Sequence, residues 1–76
     1  MNKVRRQKLQ NIFDQVTELK DLLEIIKEEE EDYLENMPEN LQGSERYERA
    51  EETVEKMYEA VSNLEEVADA LEEITQ

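Results

Sequence analysis

Proline and glycine each occur once in this chain, at Pro38 and Gly43, and both fall in one short break near its middle. On either side run long stretches dominated by Glu, Leu, Ala, Lys and Gln, the residues that pay least to enter a helix. Proline cannot continue a helix, because it lacks the amide donor and its ring clashes with the preceding turn. The chain is therefore divided once, into helical segments over residues 3–35 and 45–75 with a connection over 36–44. At the helical rise these segments are about 50 and 46 Å long, so they match end to end when folded back. A parallel arrangement needs a long crossover that the chain lacks. The expectation is an all-α fold, an antiparallel two-helix hairpin of coiled-coil type, as one domain over residues 1–76.

The apolar pattern supports this reading. In the first segment Leu9, Ile12, Val16, Leu19, Leu23, Ile26, Glu30, Tyr33 and Met37 recur at alternating spacings of three and four, a heptad seam with one polar intruder, Glu30. Phe13, Leu22 and Leu34 widen that stripe, and Ile25 lies further round. In the second segment Tyr47, Ala50, Val54, Met57, Val61, Leu64, Ala68, Leu71 and Thr75 keep the same rhythm, widened by Tyr58, Ala60, Val67 and Ile74. Within the break, Asn36 and Asn40 suit helix ends and turns. Gly43 supplies a permissive backbone, and Ser44 can cap the amides opening the next helix. Glu45 and Glu48 then lie where the helix dipole favours negative charge.

Two helices need less apolar surface than these stripes offer. Phe13, Leu22, Tyr58, Val67 and Ile74 are expected to form a partly exposed band. Pairing two hairpins into a four-helix bundle covers it, so the expected partner is a second copy, a homodimer; a host protein on the same band is the alternative that the sequence leaves open.

Charge sets the remaining limits. The chain holds 22 acids against nine bases, a formal charge of −13. Lys3, Arg5, Arg6 and Lys8 make the first eight residues +4, which leaves −17 on the rest. Such a surface repels nucleic acid and anionic membrane, so neither is an expected direct partner. A basic or DNA-binding protein is. The basic start is read as neutralising the acidic end of the second segment, at Glu65, Glu66, Asp69, Glu72 and Glu73. With no cysteine and no histidine, disulfides, zinc thiolate sites, thiol catalysis and the commonest general base are absent. No apolar run approaches the roughly 20 residues of a membrane span. No apolar segment follows the basic start as in a signal peptide, so a cytoplasmic location is expected.

Carboxylates are the only abundant functional groups. Glu-x-x-Glu spacings recur at Glu45/Glu48, Glu48/Glu51 and Glu52/Glu55, followed by Glu66-x-x-Asp69. Helical magnesium-dependent nucleotide pyrophosphohydrolases use a similar pair of acidic motifs. Yet a seam of Val61, Leu64, Ala68 and Leu71 turns Glu66 and Asp69 to solvent, whereas such catalysis needs a convergent site. No catalytic residue, cofactor or metal ligand is assigned on this basis. The run Glu28-Glu29-Glu30-Glu31-Asp32 covers every side of a helix and lacks the glycine-centred ligand loop of an EF-hand. The candidate acidic interaction surface consists of Glu28, Glu29, Glu31, Asp32, Glu51, Glu52, Glu55, Glu66, Asp69 and Glu73. Its density suggests mimicry of DNA toward a DNA-binding protein, and the other reading of the same charge is solubility alone.

The turn Asn36-Met-Pro-Glu-Asn-Leu-Gln-Gly-Ser-Glu-Arg-Tyr-Glu-Arg-Ala-Glu-Glu52 resembles that of short acidic helical-hairpin proteins from phages and mobile elements of Gram-positive bacteria. Those also begin with a basic helix and end in Glu-, Leu- and Ala-rich repeats. The resemblance implies a helical hairpin of mobile-element origin and assigns no activity. The functional expectation is a non-enzymatic interaction protein that binds and modulates a basic protein of host or element. The alternatives are a self-assembling structural helper and, remotely, the pyrophosphohydrolase.

Overall fold

The computed structural model describes all 76 residues as a helical hairpin: α1 (Lys3–Glu35), a single 3-10 turn (Glu39–Leu41) and α2 (Glu45–Thr75). Both helices begin on side-chain caps. The Asn2 Oδ1 accepts from the Arg5 amide at 2.8 Å, and the Ser44 Oγ accepts from the Tyr47 amide at 3.2 Å. Each satisfies one of the donors that a helix start leaves unpaired.

The end of α1 is equally local in origin. The Asn36 side-chain amide donates to the Asp32 carbonyl at 2.8 Å, and Pro38 then forces the chain out of the helix. The amides of Leu41 and Gln42 donate to the carbonyls of Pro38 and Glu39, which closes the 3-10 turn. Gly43, at φ +89°, makes the reversal into α2. A side chain there would sit in a region L-residues rarely adopt.

The product is a thin rod, 60 × 14 × 14 Å between Cα atoms. Two helices bury little: only Met37, Ala50, Val54 and Val61 are more than nine-tenths covered. Met37 closes the loop end, while the other three run along the middle of the α2 stripe. The expected α2 seam is the observed one, from Tyr47 to Thr75, every member half-buried or buried. Lys27 stands opposite Tyr58, and Phe13 shares a groove with Glu72, which defines the antiparallel register.

The α1 seam differs from the expected one. Leu9, Val16, Leu23 and Glu30 face α2 as anticipated, but the alternate positions are Phe13, Lys20, Lys27 and Leu34. Ile12, Leu19, Ile26 and Tyr33 turn outward, 47, 58, 50 and 41% exposed. The reason lies in the width of the apolar arc on α1 and in the small residues facing it. Val54, Val61 and Ala68 leave room for the aliphatic stems of two lysines, whose ammonium groups escape along the edge of the seam. Phe13 and Leu34, expected on the flank, thereby become seam residues.

The four ion pairs are all within single helices: Lys20–Asp21, Lys27–Glu31, Arg49–Glu45 and Lys56–Glu59. None joins Lys3, Arg5, Arg6 or Lys8 to α2, so the expected pairing of the basic start with the acidic end does not form as direct contacts. The first turn of α1 carries no acid and its last turn no base, the reverse of what the helix dipole favours.

Candidate functional site

Two surfaces stand out on the rod, one acidic and one apolar. The acidic surface is densest at the loop end. Residues 28–52 hold eleven acids and two bases, a net −9. The antiparallel register sets Glu28, Glu29 and Asp32 on α1 level with Glu51, Glu52 and Glu55 on α2, all of them exposed. Glu31 is set apart from them, half-buried, with its carboxylate 3.7 Å from the Lys27 ammonium. Glu30 occupies its half-buried seam position, and no buried side-chain polar atom anywhere lacks a hydrogen-bond partner. Glu66, Asp69 and Glu73 are exposed toward the opposite end, level with residues 12–20 of α1, and the basic start of α1 extends past the end of α2. They are a separate group from the loop-end carboxylates.

Nowhere do three or more acidic side chains come together in a group that could hold a metal ion. Glu66 and Asp69 lie on the solvent side of α2, consistent with an inward Val61, Leu64, Ala68 and Leu71. No helix is long and apolar enough to cross a membrane.

The apolar surface is a ridge beside the seam. Successive helical residues turn by about 100°, so the outward Ile12, Leu19, Leu22, Ile26 and Tyr33 line up along one side of α1. On α2, which runs the other way, Ala60, Val67 and Ile74 lie to that same side. The register sets Ile12, Leu19 and Ile26 level with Ile74, Val67 and Ala60. The five residues expected to form a single band are therefore divided. Leu22, Val67 and Ile74 share this face, 51, 46 and 50% exposed. Phe13 is half-buried in the seam, and Tyr58 stands on the opposite edge under Lys27.

At the loop end the ridge runs into a concavity of about 380 Å³, lined by Tyr33, Met37, Pro38 and Leu41, with Arg46 among its polar neighbours. Its position follows from the turn, since Pro38 and the 3-10 turn lift Leu41 off the end of the seam, 46% exposed.

Lys20 and Lys27 are the residues that the sequence pattern did not single out. The available signal was the spacing of Phe13, Lys20, Lys27 and Leu34, a complete heptad row with lysine at its two middle positions. Comparison with family models, curated proteins and solved structures finds no match for this chain.

Proposed function

We propose that this hairpin is a non-enzymatic interaction protein that binds a basic protein through its acidic surface, excluding DNA where that partner is a DNA-binding protein. One observation carries the reading: the carboxylates are almost entirely free. Of 22 acids only Asp21, Glu31, Glu45 and Glu59 are held in ion pairs, which leaves eighteen to act on the surroundings. They are spread along a rigid 60 Å rod, over which duplex DNA presents roughly 35 phosphates. One hairpin carries about half that number of free carboxylates, and two side by side match it.

A basic groove shaped for a phosphate backbone gains attraction from such a rod of the same kind as from DNA, in proportion to the charge it neutralises. Long-range attraction speeds encounter, and the loop-end carboxylates at Glu28, Glu29, Asp32, Glu51, Glu52 and Glu55 supply the strongest field. The mobile-element kinship suggested by the turn fits a protein that acts on host or element machinery.

The test is retention of basic host proteins on immobilised hairpin through a salt gradient. A DNA-binding protein released as salt rises, and released earlier by a variant with Glu28, Glu29, Glu51, Glu52 and Glu55 changed to Gln, supports the reading. Binding indifferent to both salt and these substitutions overturns it. The exposed ridge of Ile12, Leu19 and Ile26 favours a second reading, in which helical pairing is itself the job.

A further inference from the structure

We propose that the apolar ridge is covered by a second copy of the chain, lying end to opposite end, so that each α1 runs antiparallel along its partner's α1 with a two-fold axis beside Leu22. The ridge is nearly the same read in either direction. From Ile12 it steps seven residues to Leu19, three to Leu22, four to Ile26 and seven to Tyr33. Laid antiparallel on itself, it places Ile12 against the partner's Tyr33 and Leu19 against the partner's Ile26. Leu22 then meets its own symmetry mate. An isologous contact requires this self-complementarity.

The second helix obeys the same axis. Leu19 is level with Val67 and Ile26 with Ala60, so a rotation that exchanges Leu19 with the partner's Ile26 also exchanges Val67 with the partner's Ala60. Both rows fill one interface, and the four helices form a bundle. The face is 60 Å long and 14 Å wide between Cα atoms, enough for the roughly 800 Å² per partner that stable interfaces bury.

Charge selects this orientation over the other two-fold pairing, in which the two loops lie together and α1 covers the partner's α2. That pairing sets one −9 loop end against another. The proposed one sets each loop end beside residues 1–17 and 69–76, which hold four bases and four acids. Lys3, Arg5, Arg6 and Lys8 have no ion-pair partner within the chain, and the antiparallel pairing brings them to Glu35 and Glu39 of the second copy.

The experiment is disulfide trapping, since the natural chain has no cysteine. Leu22→Cys and Asn40→Cys variants are oxidised separately and read by mass under non-reducing conditions. The native chain is sized in parallel by sedimentation at tens of micromolar. The proposal expects a native dimer, efficient cross-linking of Leu22→Cys and none of Asn40→Cys. A spin label on the cysteine of Asn40→Cys checks the same geometry without depending on position 22. It should report about 50 Å between copies, as two loop ends on opposite sides of the axis require. Short label distances or cross-linking at position 40 mean that the loops lie together, and a native monomer means that no second copy covers the ridge. Either result overturns the proposal. Because the purified chain is used alone, neither bears on the electrostatic reading of the acidic surface.

Discussion

Lys27 holds its ammonium 4.0 Å from the centre of the Tyr58 ring, across the seam between the two helices. The contact identifies which edge of α1 meets α2. Lys27 belongs to the row Phe13, Lys20, Lys27 and Leu34, so this row packs inward and Ile12, Leu19, Ile26 and Tyr33 are left on the surface. A lysine is well suited to that place. Its stem covers apolar surface, and its charge rests on the negative face of an aromatic ring while Glu31 lies 3.7 Å away.

A double-mutant cycle measures that contact. Lys27→Ala and Tyr58→Ala should each lower stability, and the pair should be less than additive by about 0.5–1 kcal/mol, the range of partly exposed cation–π contacts. Chemical denaturation followed by circular dichroism gives the coupling. Strict additivity would return Ile26 to the seam and Lys27 to solvent.

The turn offers a test that does not depend on the seam. Ser44→Ala removes the cap on the Tyr47 amide and should cost about 1 kcal/mol. Gly43→Ala should cost a similar amount for a different reason. Nothing lies within 4 Å of the added Cβ, so the whole effect comes from φ +89°. Thermal melts of the two variants should therefore fall together, while Gln42→Ala, which loses only a 3.2 Å side-chain bond to the Met37 carbonyl, should fall less.

How much of this was legible beforehand follows from where the physics is local. Pro38, Gly43, Asn36 and Ser44 act on their own backbone, so the hairpin and its turn could be read from residue types. The α2 seam was legible because its apolar residues fit one heptad frame, with Ala60, Val67 and Ile74 as a clear flank. The α1 seam was not. Leu9, Val16 and Leu23 belong to two frames at once, one completed by Ile12, Leu19 and Ile26, the other by Phe13, Lys20 and Lys27. Hydrophobicity alone prefers the first frame. The choice depends on room opposite, at Val54, Val61 and Ala68, and on the fate of the surface left outside, and neither is encoded locally. The candidate acidic surface was visible in composition, but its division into a loop-end group and a separate group at Glu66, Asp69 and Glu73 needed the fold. The band at Phe13, Leu22, Tyr58, Val67 and Ile74 was divided because Phe13 and Tyr58 lie toward the other edge.

The seam itself can be probed by contrast. Leu23→Ala and Leu64→Ala each remove a half-buried seam side chain and should cost about 2–4 kcal/mol, which a rod with only four buried residues can scarcely absorb. Ile25→Ala removes a comparable side chain that is 53% exposed and lies beyond both the seam and the ridge. It should change stability by no more than about 0.5 kcal/mol. Equal losses at Leu23 and Ile25 would show that the first helix is rotated from the orientation described.

Salt should act on this protein in two opposite ways, and the opposition is diagnostic. Within the fold, eleven acids and two bases crowd residues 28–52, the end of α1 carries no base and its start no acid. These interactions oppose folding, and they reach furthest at low ionic strength, where the screening length is about 30 Å at 0.01 M against about 10 Å at 0.1 M. Raising salt should therefore raise the melting temperature. Binding to a basic partner relies on the same charges with the opposite sign, because each neutralised carboxylate contributes attraction that salt removes. Over the same titration affinity should fall steeply, and the Gln variants at Glu28, Glu29, Glu51, Glu52 and Glu55 should melt higher while binding more weakly. A melting temperature that falls with salt would mean that favourable ion pairs, rather than crowded carboxylates, dominate the surface, and the charge at the loop end would then have to be read as a stabilising network.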